Sequence, residues 1–262
     1  MKITVVGCSG SFAGPDSPAS CYLLQARDGV NREWSLVLDM GSGSLGTLQN
    51  FLDPSEIDAV LISHLHPDHC VDLSGLRVWR EYHPERSHER LPVHLPVGGP
   101  QYINAICAGG EEAEDSAVFD YHLWEDAPSF KFGPFTVESL PVNHPVPAVG
   151  MRISAFSKNA DRDVTFCFSG DTDVSDNLVT LATGVDLFFV EAGFTEARDE
   201  PHGIHLTGRR AGEVAMRAGA KRTVLTHIPP WNDRQEILAE ARTVMGDSDA
   251  LELASPGAVY RL

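Results

Sequence analysis

The segment LISHLHPDHC, residues 61–70, places His64, His66, Asp68 and His69 within six positions, directly behind the apolar run Ala59-Val60-Leu61-Ile62. In an extended chain His64 and His66, two apart, point the same way and can grip one cation. Asp68 and His69 then turn away and can grip a second. Imidazole with carboxylate suits Zn²⁺ and also Mn²⁺ or Fe²⁺. Two ions about 3.5–4 Å apart would hold a bridging hydroxide and clamp both oxygens of a displacement at phosphorus or carbon. A polar loop after a strand is the plain alternative in a chain with 11 histidines. His-x-His-x-Asp-His is specific enough to outweigh it.

Further candidates share one setting, the end of an apolar run. Asp39 lies in VLDMGSG, His144 in LPVNHPV, Asp171 in FCFSGDT and His227 in VLTHIPPW. One histidine at a strand end is usually structural. Several are harder to dismiss, because loops at strand ends are where a rigid scaffold presents functional groups.

Short apolar runs bounded by Gly, Pro, Asp or Ser predict strands at 3–7, 21–26, 34–39, 59–63, 91–96, 136–142, 149–153, 164–169, 187–190 and 223–226. Helices are expected at 44–51, 73–81, 101–108, 175–182, 207–218 and 233–244, the second with Leu73, Leu76, Val78 and Trp79 near one face. The acidic segment GGEEAEDSAVFD, 109–120, reads as a surface loop or lid. The Gly/Ser/Pro loop GCSGSFAGPDSPAS lacks the Lys-Ser/Thr of a P-loop. Repeats, low-complexity stretches and linkers are absent, so residues 1–262 read as one domain.

At 262 residues and 42% hydrophobic content the chain can bury a large core. No apolar stretch approaches the roughly 20 residues of a membrane span. The opening residues read as a strand rather than a signal peptide. Cys8, Cys21, Cys70, Cys107 and Cys167 are scattered and odd in number, which indicates neither a disulfide framework nor a thiolate metal knuckle and makes the cytoplasm the default compartment. The formal charge of −17, from 37 acids against 20 bases, repels a long polyanion. The densest basic cluster, Arg209 to Arg222, is interrupted by Glu213 and reads as a solvated helix face. Bound divalent cations would reverse the local sign in a cleft, which suits a small anionic substrate.

On the His64-x-His66-x-Asp68-His69 signature and the later His144, Asp171 in SGDT and His227 in LTHIPPW, the sequence resembles the metallo-β-lactamase superfamily over nearly its whole length. The fold this implies is α/β, a four-layer αββα sandwich. By the same resemblance His64, His66 and His144 hold one ion, Asp68, His69 and His227 a second, and Asp171 bridges them. The two divalent ions would be Zn²⁺ or Mn²⁺. VEAGF at 190–194 followed by HLTGRRAGEVAMRAGAKRTVLTH at 205–227 is similar to the ribonuclease Z branch, where an acidic residue and a His-x-Thr histidine act beside the metals. Carried over, Glu191 orients His205, and His205 protonates the leaving oxygen. With them Asp68 completes the catalytic set. A His205 that only makes local bonds at a helix start is the alternative.

The chain departs from ribonuclease Z at Val190, where that branch has a histidine. His144 and Asp171 are also only 27 residues apart, room for a hairpin and not for a tRNA-gripping arm. GCSGSFAGPDSPASCYLL, SHLHPDHC, VWREYHP and LTHIPPW resemble the small actinobacterial cyclic-nucleotide phosphodiesterases. The resemblance implies hydrolysis of 3′,5′-cyclic nucleotides such as cAMP to 5′-monophosphates by a bridging hydroxide, in a homodimer. The competing readings are a tRNA 3′-end endonuclease, an arylsulfatase or lactonase of the same fold, and a metal-binding nucleotide sensor without turnover.

Among the remaining residues, His202 reads as an exposed loop histidine. His83, His88, His94 and His122 read as surface or satisfied core positions. Cys70 begins a helix behind the ligands, and Asp39 supports a ligand histidine or caps its turn. Trp231, Phe194 and Tyr82 are candidates to stack a base, against the more common fate of core packing.

Overall fold

The computed structural model describes residues 1–85, 89–108, 118–199 and 202–262. The first six strands, β1 (Lys2–Gly7), β2 (Cys21–Arg27), β3 (Glu33–Leu38), β4 (Ala59–Leu61), β5 (Leu91–Leu95) and β6 (Phe119–Leu123), lie side by side in chain order. The next seven, β7 (Ser129–Phe132), β8 (Phe135–Pro141), β9 (Val149–Ser157), β10 (Arg162–Phe168), β11 (Leu187–Glu191), β12 (Thr223–Thr226) and β13 (Leu251–Leu253), form a second sheet in the same manner. The last strand, β14 (Val259–Arg261), returns to pair antiparallel with β1. Each sheet is mixed. In the first, β1 to β3 are antiparallel and β3 to β6 parallel. In the second, β7 to β10 are antiparallel and β10 to β13 parallel.

Alternation of side chains between the two faces of each strand explains why the sheets face each other. Ile3 and Val5 of β1, Tyr22 and Leu24 of β2, Phe166 and Phe168 of β10 and Phe189 of β11 meet in the layer between them. Tyr22 anchors that layer, its ring 5.0 Å from Phe168 and 5.5 Å from Phe189. The opposite face of the first sheet, with Val6, Leu23, Val37 and Val60, is apolar too and must be covered. It is covered by α1 (Ser44–Leu48), α2 (Pro67–Cys70), α3 (Leu73–Tyr82) and α4 (Gly99–Ala108). The outer face of the second sheet is covered by α5 (Asp176–Ala182), α6 (Gly208–Ala218) and α7 (Arg234–Met245). This is the αββα sandwich. Burial on both faces gives the central strands their near-continuous apolar runs.

The helices start and stop where local chemistry allows. Thr207 caps α6 by accepting the Arg210 N–H at 3.2 Å, and Gly219, at φ 62°, closes it. Asp233 caps α7 through Gln235 N at 2.8 Å.

Four strands depart from the expectations. The end of the acidic segment expected as loop is strand, because Phe119 opens β6; residues 109–117 lie outside the described ones. β7, β13 and β14 run only four, three and three residues, and β6, β7, β13 and β14 are the sheet edges. An edge strand buries little, so it carries weak apolar patterning. Cys70 ends α2 instead of beginning a helix; it is buried and its thiol donates to His66 O at 3.4 Å. Among the described residues no helix is long and apolar enough to cross a membrane.

Candidate metal centre

All strands that deliver candidate residues end on one side of the sandwich. Asp39 follows β3, the His64–His69 cluster follows β4 and forms α2, His144 follows β8, Asp171 follows β10, Glu191 ends β11 and His227 follows β12. The parallel neighbours β3–β4 and β10–β11–β12 make this unavoidable, since parallel strands finish together. The structure brings all seven candidate ligands into one cluster.

In one half, His64 Nε2 lies 3.1 Å from His66 Nδ1, and His144 Nε2 lies 3.2 Å from the same atom. Asp171 Oδ2 is 3.6 Å from His64 Nε2. In the other half, His69 Nε2 is 3.2 Å from Asp171 Oδ1 and 3.5 Å from Asp68 Oδ2. His227 Nε2 is 3.1 Å from Asp171 Oδ2 and 3.7 Å from Asp68 Oδ2. Asp171 therefore belongs to both halves, one oxygen facing His69 and the other facing His64 and His227. The two groups of four, His64, His66, His144, Asp171 and Asp68, His69, Asp171, His227, each converge their ligand atoms within 4.8 Å.

The outward nitrogens of His64, His69, His144 and His227 are held, so the inward ones are free to ligate. His69 Nδ1 donates to Asp39 Oδ2 at 2.7 Å. His144 Nδ1 donates to Ile204 O at 2.9 Å, and His227 Nδ1 meets Ser20 Oγ at 3.0 Å. Ser63 donates its N–H and hydroxyl to the two oxygens of Asp39, at 2.7 and 2.9 Å, and its Oγ meets His64 Nδ1 at 3.1 Å. Ser63 and Ser20 escape sequence reading: serine is common, and Ser20 reaches His227 only through the fold.

Three of the inward atoms, His69 Nε2, His227 Nε2 and Asp171 Oδ1, are buried with no hydrogen-bond partner. Such atoms are costly unless something satisfies them. The donor set of imidazoles and carboxylates is that of a divalent metal pair. Electrostatics agrees. Burial opposes charge on His69, yet the carboxylates of Asp171 and Asp39 raise its pKa well above the ordinary imidazole value. Burial likewise opposes Asp171, and the surrounding imidazoles of His227 and His69 hold its carboxyl well below the usual range. Burial first, then the neighbouring His69, pushes His64 down. The carboxylates demand positive charge at the centre and His64 is held neutral, which fits bound metal.

The backbone approaches closely here. A Cβ on Gly41 would sit 1.9 Å from Asp68 O, and one on Gly10 would sit 2.3 Å from His227 O. Only glycine fits. Asp39 and His227 both adopt positive φ, 55°, as their strands end, a conformation that non-glycine residues keep only when the surroundings enforce it.

Beside the cluster, Glu191 is fully buried and accepts Thr172 N at 2.9 Å on Oε1 and Gly193 N at 2.8 Å on Oε2. Its Oε1 also accepts the Nδ1–H of His205 at 2.9 Å. His205 Nδ1 lies 3.9 Å from Asp171 Oδ2, and its side chain is 14% exposed. Burial would lower the His205 pKa, but Glu191 and Asp171 outweigh it and push it up to about 9. Phe194 packs edge-on against the ring at 4.9 Å.

The other singled-out residues stay apart. His202 is 76% exposed, 3.8 Å from Asp173. Trp231 is exposed and rests on Phe12 at 5.2 Å between ring centroids, while Tyr82 is exposed on α3. His83 stacks on Trp79 and His122 pairs with Asp120. His88 lies outside the described residues. His94 is a core residue, stacked on Phe130 at 4.0 Å, but its Nδ1 has no partner, so it is not the satisfied core histidine expected. The basic side chains from Arg209 to Arg222 are ion-paired, Arg209 with Glu196, Arg210 with Asp173, Arg217 with Asp176, Lys221 with Asp186 and Arg222 with Glu252.

Residues 37–228 match the family model described as a beta-lactamase superfamily domain. The chain is 43% identical over 244 residues to an uncharacterized protein of Mycobacterium tuberculosis (strain ATCC 25618 / H37Rv), covering 92% of this chain and 86% of that one. It is 27% identical over 266 residues to the probable metallo-hydrolase YhfI of Bacillus subtilis (strain 168), covering 99% of each. The crystal structure of YhfI superposes with a TM-score of 0.83 over 99% of this chain and 98% of that one, at 26% identity. A ribonuclease Z from Nocardia farcinica (strain IFM 10152) is 26% identical over 276 residues, covering 87% of each.

Proposed function

The chain belongs to the metallo-β-lactamase superfamily, and from that premise we propose that it is a metal-dependent phosphodiesterase opening 3′,5′-cyclic nucleotides such as cAMP to 5′-monophosphates. The proposal treats residues 1–262 as one catalytic domain. The observation that carries it is the His205–Glu191 pair, 2.9 Å apart and adjoining Asp171.

His64, His66 and His144 would hold one ion, Asp68, His69 and His227 the other, with Asp171 shared. The ions would supply Lewis acidity, drawing charge from the phosphoryl oxygens and from the attacking water. The rest falls to side chains. Glu191 has two backbone N–H donors fixing its carboxylate, so it cannot turn away from His205. By accepting from Nδ1 it keeps that nitrogen protonated and favours the imidazolium, leaving Nε2–H as the proton to be given. An alkoxide such as a ribose 3′-oxygen leaves poorly without a proton. His205 Nε2 delivers one to O3′ as the P–O3′ bond breaks and the water oxygen joins phosphorus. Asp68, beside His69 and His227, is placed to hold the proton that the water loses; its carboxyl, despite burial, is held below the usual range by His69 and His227, so it is ionised.

Substrate size is read from the hairpin. Between His144 and Asp171 the chain makes only β9 and β10 with a turn at 158–161, and the formal charge is −17. Neither offers a grip on a long polyanion. The similarity to a ribonuclease Z keeps one second reading, a tRNA 3′-end endonuclease, since both reactions break a P–O3′ bond. Specificity constants for cAMP and a pre-tRNA at physiological salt separate them. The proposal expects cAMP to be preferred by orders of magnitude, and comparable values would restore the endonuclease.

A further inference from the structure

At the end of the sandwich away from the histidines, a pocket of roughly 270 Å³ opens where β1 and β14 meet β2 and the tip of β9. Lys2, Gln25, Arg27, Phe156, Lys158 and Arg261 line it, together with Glu33.

Its charge is unusual for this molecule. Nearly every described arginine and lysine is matched to a carboxylate or a carbonyl, as the α6 series illustrates. Among the described residues Lys2, Lys131, Lys158 and Arg261 have neither partner, and three of these four line the pocket, although acids outnumber bases 37 to 20. Glu33 does not neutralise them, because it is engaged by Arg27 at 3.2 Å. Lys2 and Arg261 are moreover direct cross-strand partners in the β1–β14 ladder. Like charges directly opposite destabilise a ladder. Three uncompensated cations at one pocket, two of them forced together, are what a bound anion would relieve.

The rest of the lining narrows the anion. Phe156 is 53% exposed at the rim, a large ring offered to solvent. Gln25 lines the pocket too, and its Oε1 is buried without a partner. Three cations, an exposed aromatic ring and an unsatisfied amide oxygen in one lining match a phosphate-bearing ligand with a planar ring.

We propose that this pocket binds a nucleotide-class ligand, its phosphates against Lys2, Lys158 and Arg261 and its ring against Phe156. None of these residues belongs to the metal centre, so occupancy here is separate from turnover there.

The test is equilibrium binding of labelled 5′-ADP to the full metal-loaded chain at physiological salt. Two kinds of site are expected, one lost in Asp171→Asn and one weakened roughly tenfold or more in Lys158→Gln/Arg261→Gln. The double variant should keep its metal and its hydrolysis of bis-p-nitrophenyl phosphate. Phe156→Ala should weaken 5′-ADP at this site but not pyrophosphate. ADP binding that vanishes entirely with Asp171→Asn, or that the double variant leaves unchanged, overturns the proposal. Equal losses of ADP and pyrophosphate in Phe156→Ala overturn the assignment of the ring.

Discussion

Asp39 Oδ2 accepts the Nδ1–H of His69 at 2.7 Å, with both side chains wholly excluded from solvent. A buried carboxylate there fixes the His69 tautomer with Nε2 inward and makes that nitrogen a better donor to a cation. Asp39→Asn preserves the volume and removes the charge. It should weaken divalent metal affinity by roughly 10–100-fold while leaving the fold intact. Competition with a chelator of known affinity, alongside circular dichroism, measures this. Unchanged affinity would show that Ser63 alone suffices to orient the ring.

Asp171 faces both halves of the cluster, its Oδ2 lying between His64 and His227, whereas His64 serves only one. The protein is expected to bind two divalent ions per chain. His64→Ala should lose one, and Asp171→Ala should weaken both. Metal analysis after gentle purification reads the stoichiometry. Full activity in thoroughly metal-stripped protein would refute the metal reading altogether.

The pairing of Glu191 with His205 predicts a dependence on the leaving group. His205→Ala should keep both ions, since it lies outside the two groups of four. It should slow release of a ribose 3′-oxygen by roughly 10²–10⁴-fold, and affect release of p-nitrophenolate, which needs little protonation, far less. Glu191→Gln should show the same pattern more mildly. Equal losses on both substrates would reassign His205 to a supporting role.

Away from the centre, Asp186 sets an acid limit on stability. Arg162 bonds it through two nitrogens, at 2.9 and 2.7 Å, and Lys221 and Thr165 N add to this at 2.8 and 2.9 Å. Hydrogen bonding to Arg162 chiefly holds its carboxyl below the usual range, against some burial. A depressed folded pKa means stability that is present above the unfolded value near 3.9 and lost as pH falls toward the folded one. The basic partners are half-exposed, which limits the effect. Asp186→Asn should lower the melting temperature by roughly 2–4 °C at pH 7, and by progressively less below pH 4. A deficit that stays constant to pH 2 would contradict the ionic origin.

Legibility in the sequence followed burial. The central strands are covered on both faces, so their apolar runs stood out, and most candidate residues were conspicuous as the polar groups ending such runs; His205, which follows no strand, came only from the resemblance. β7 and β13, at the edges, left no such trace, and Phe119 was hidden behind the acidic segment before it. Support for the centre was harder to see than the centre. Ser20 lies 207 residues from His227 in the chain, and nothing local distinguishes it. The same holds for Lys2, Lys158 and Arg261, which become a group only when β14 closes against β1 and the end of β9 comes alongside. His94 misled for another reason: stacking on Phe130 fills its space without meeting its polar atom.

The seven clustered side chains are shared between the halves of the molecule, four following β4 in the first sheet and three following strands of the second. Elsewhere the sheets meet mainly through Tyr22, Phe168, Phe189 and their apolar neighbours, contacts that have no fixed direction apart from the Tyr22–Thr226 hydroxyl bond at 2.5 Å. A cation pair coordinated from both sides would act as a rivet through the sandwich, adding directional bonds where the packing is largely adhesive. Chelation should therefore loosen one sheet against the other before it unfolds either. Hydrogen exchange is expected to quicken first at the exits of β4, β10 and β12, while the ladders at the opposite end, β1 with β2 and β9 with β10, retain their protection.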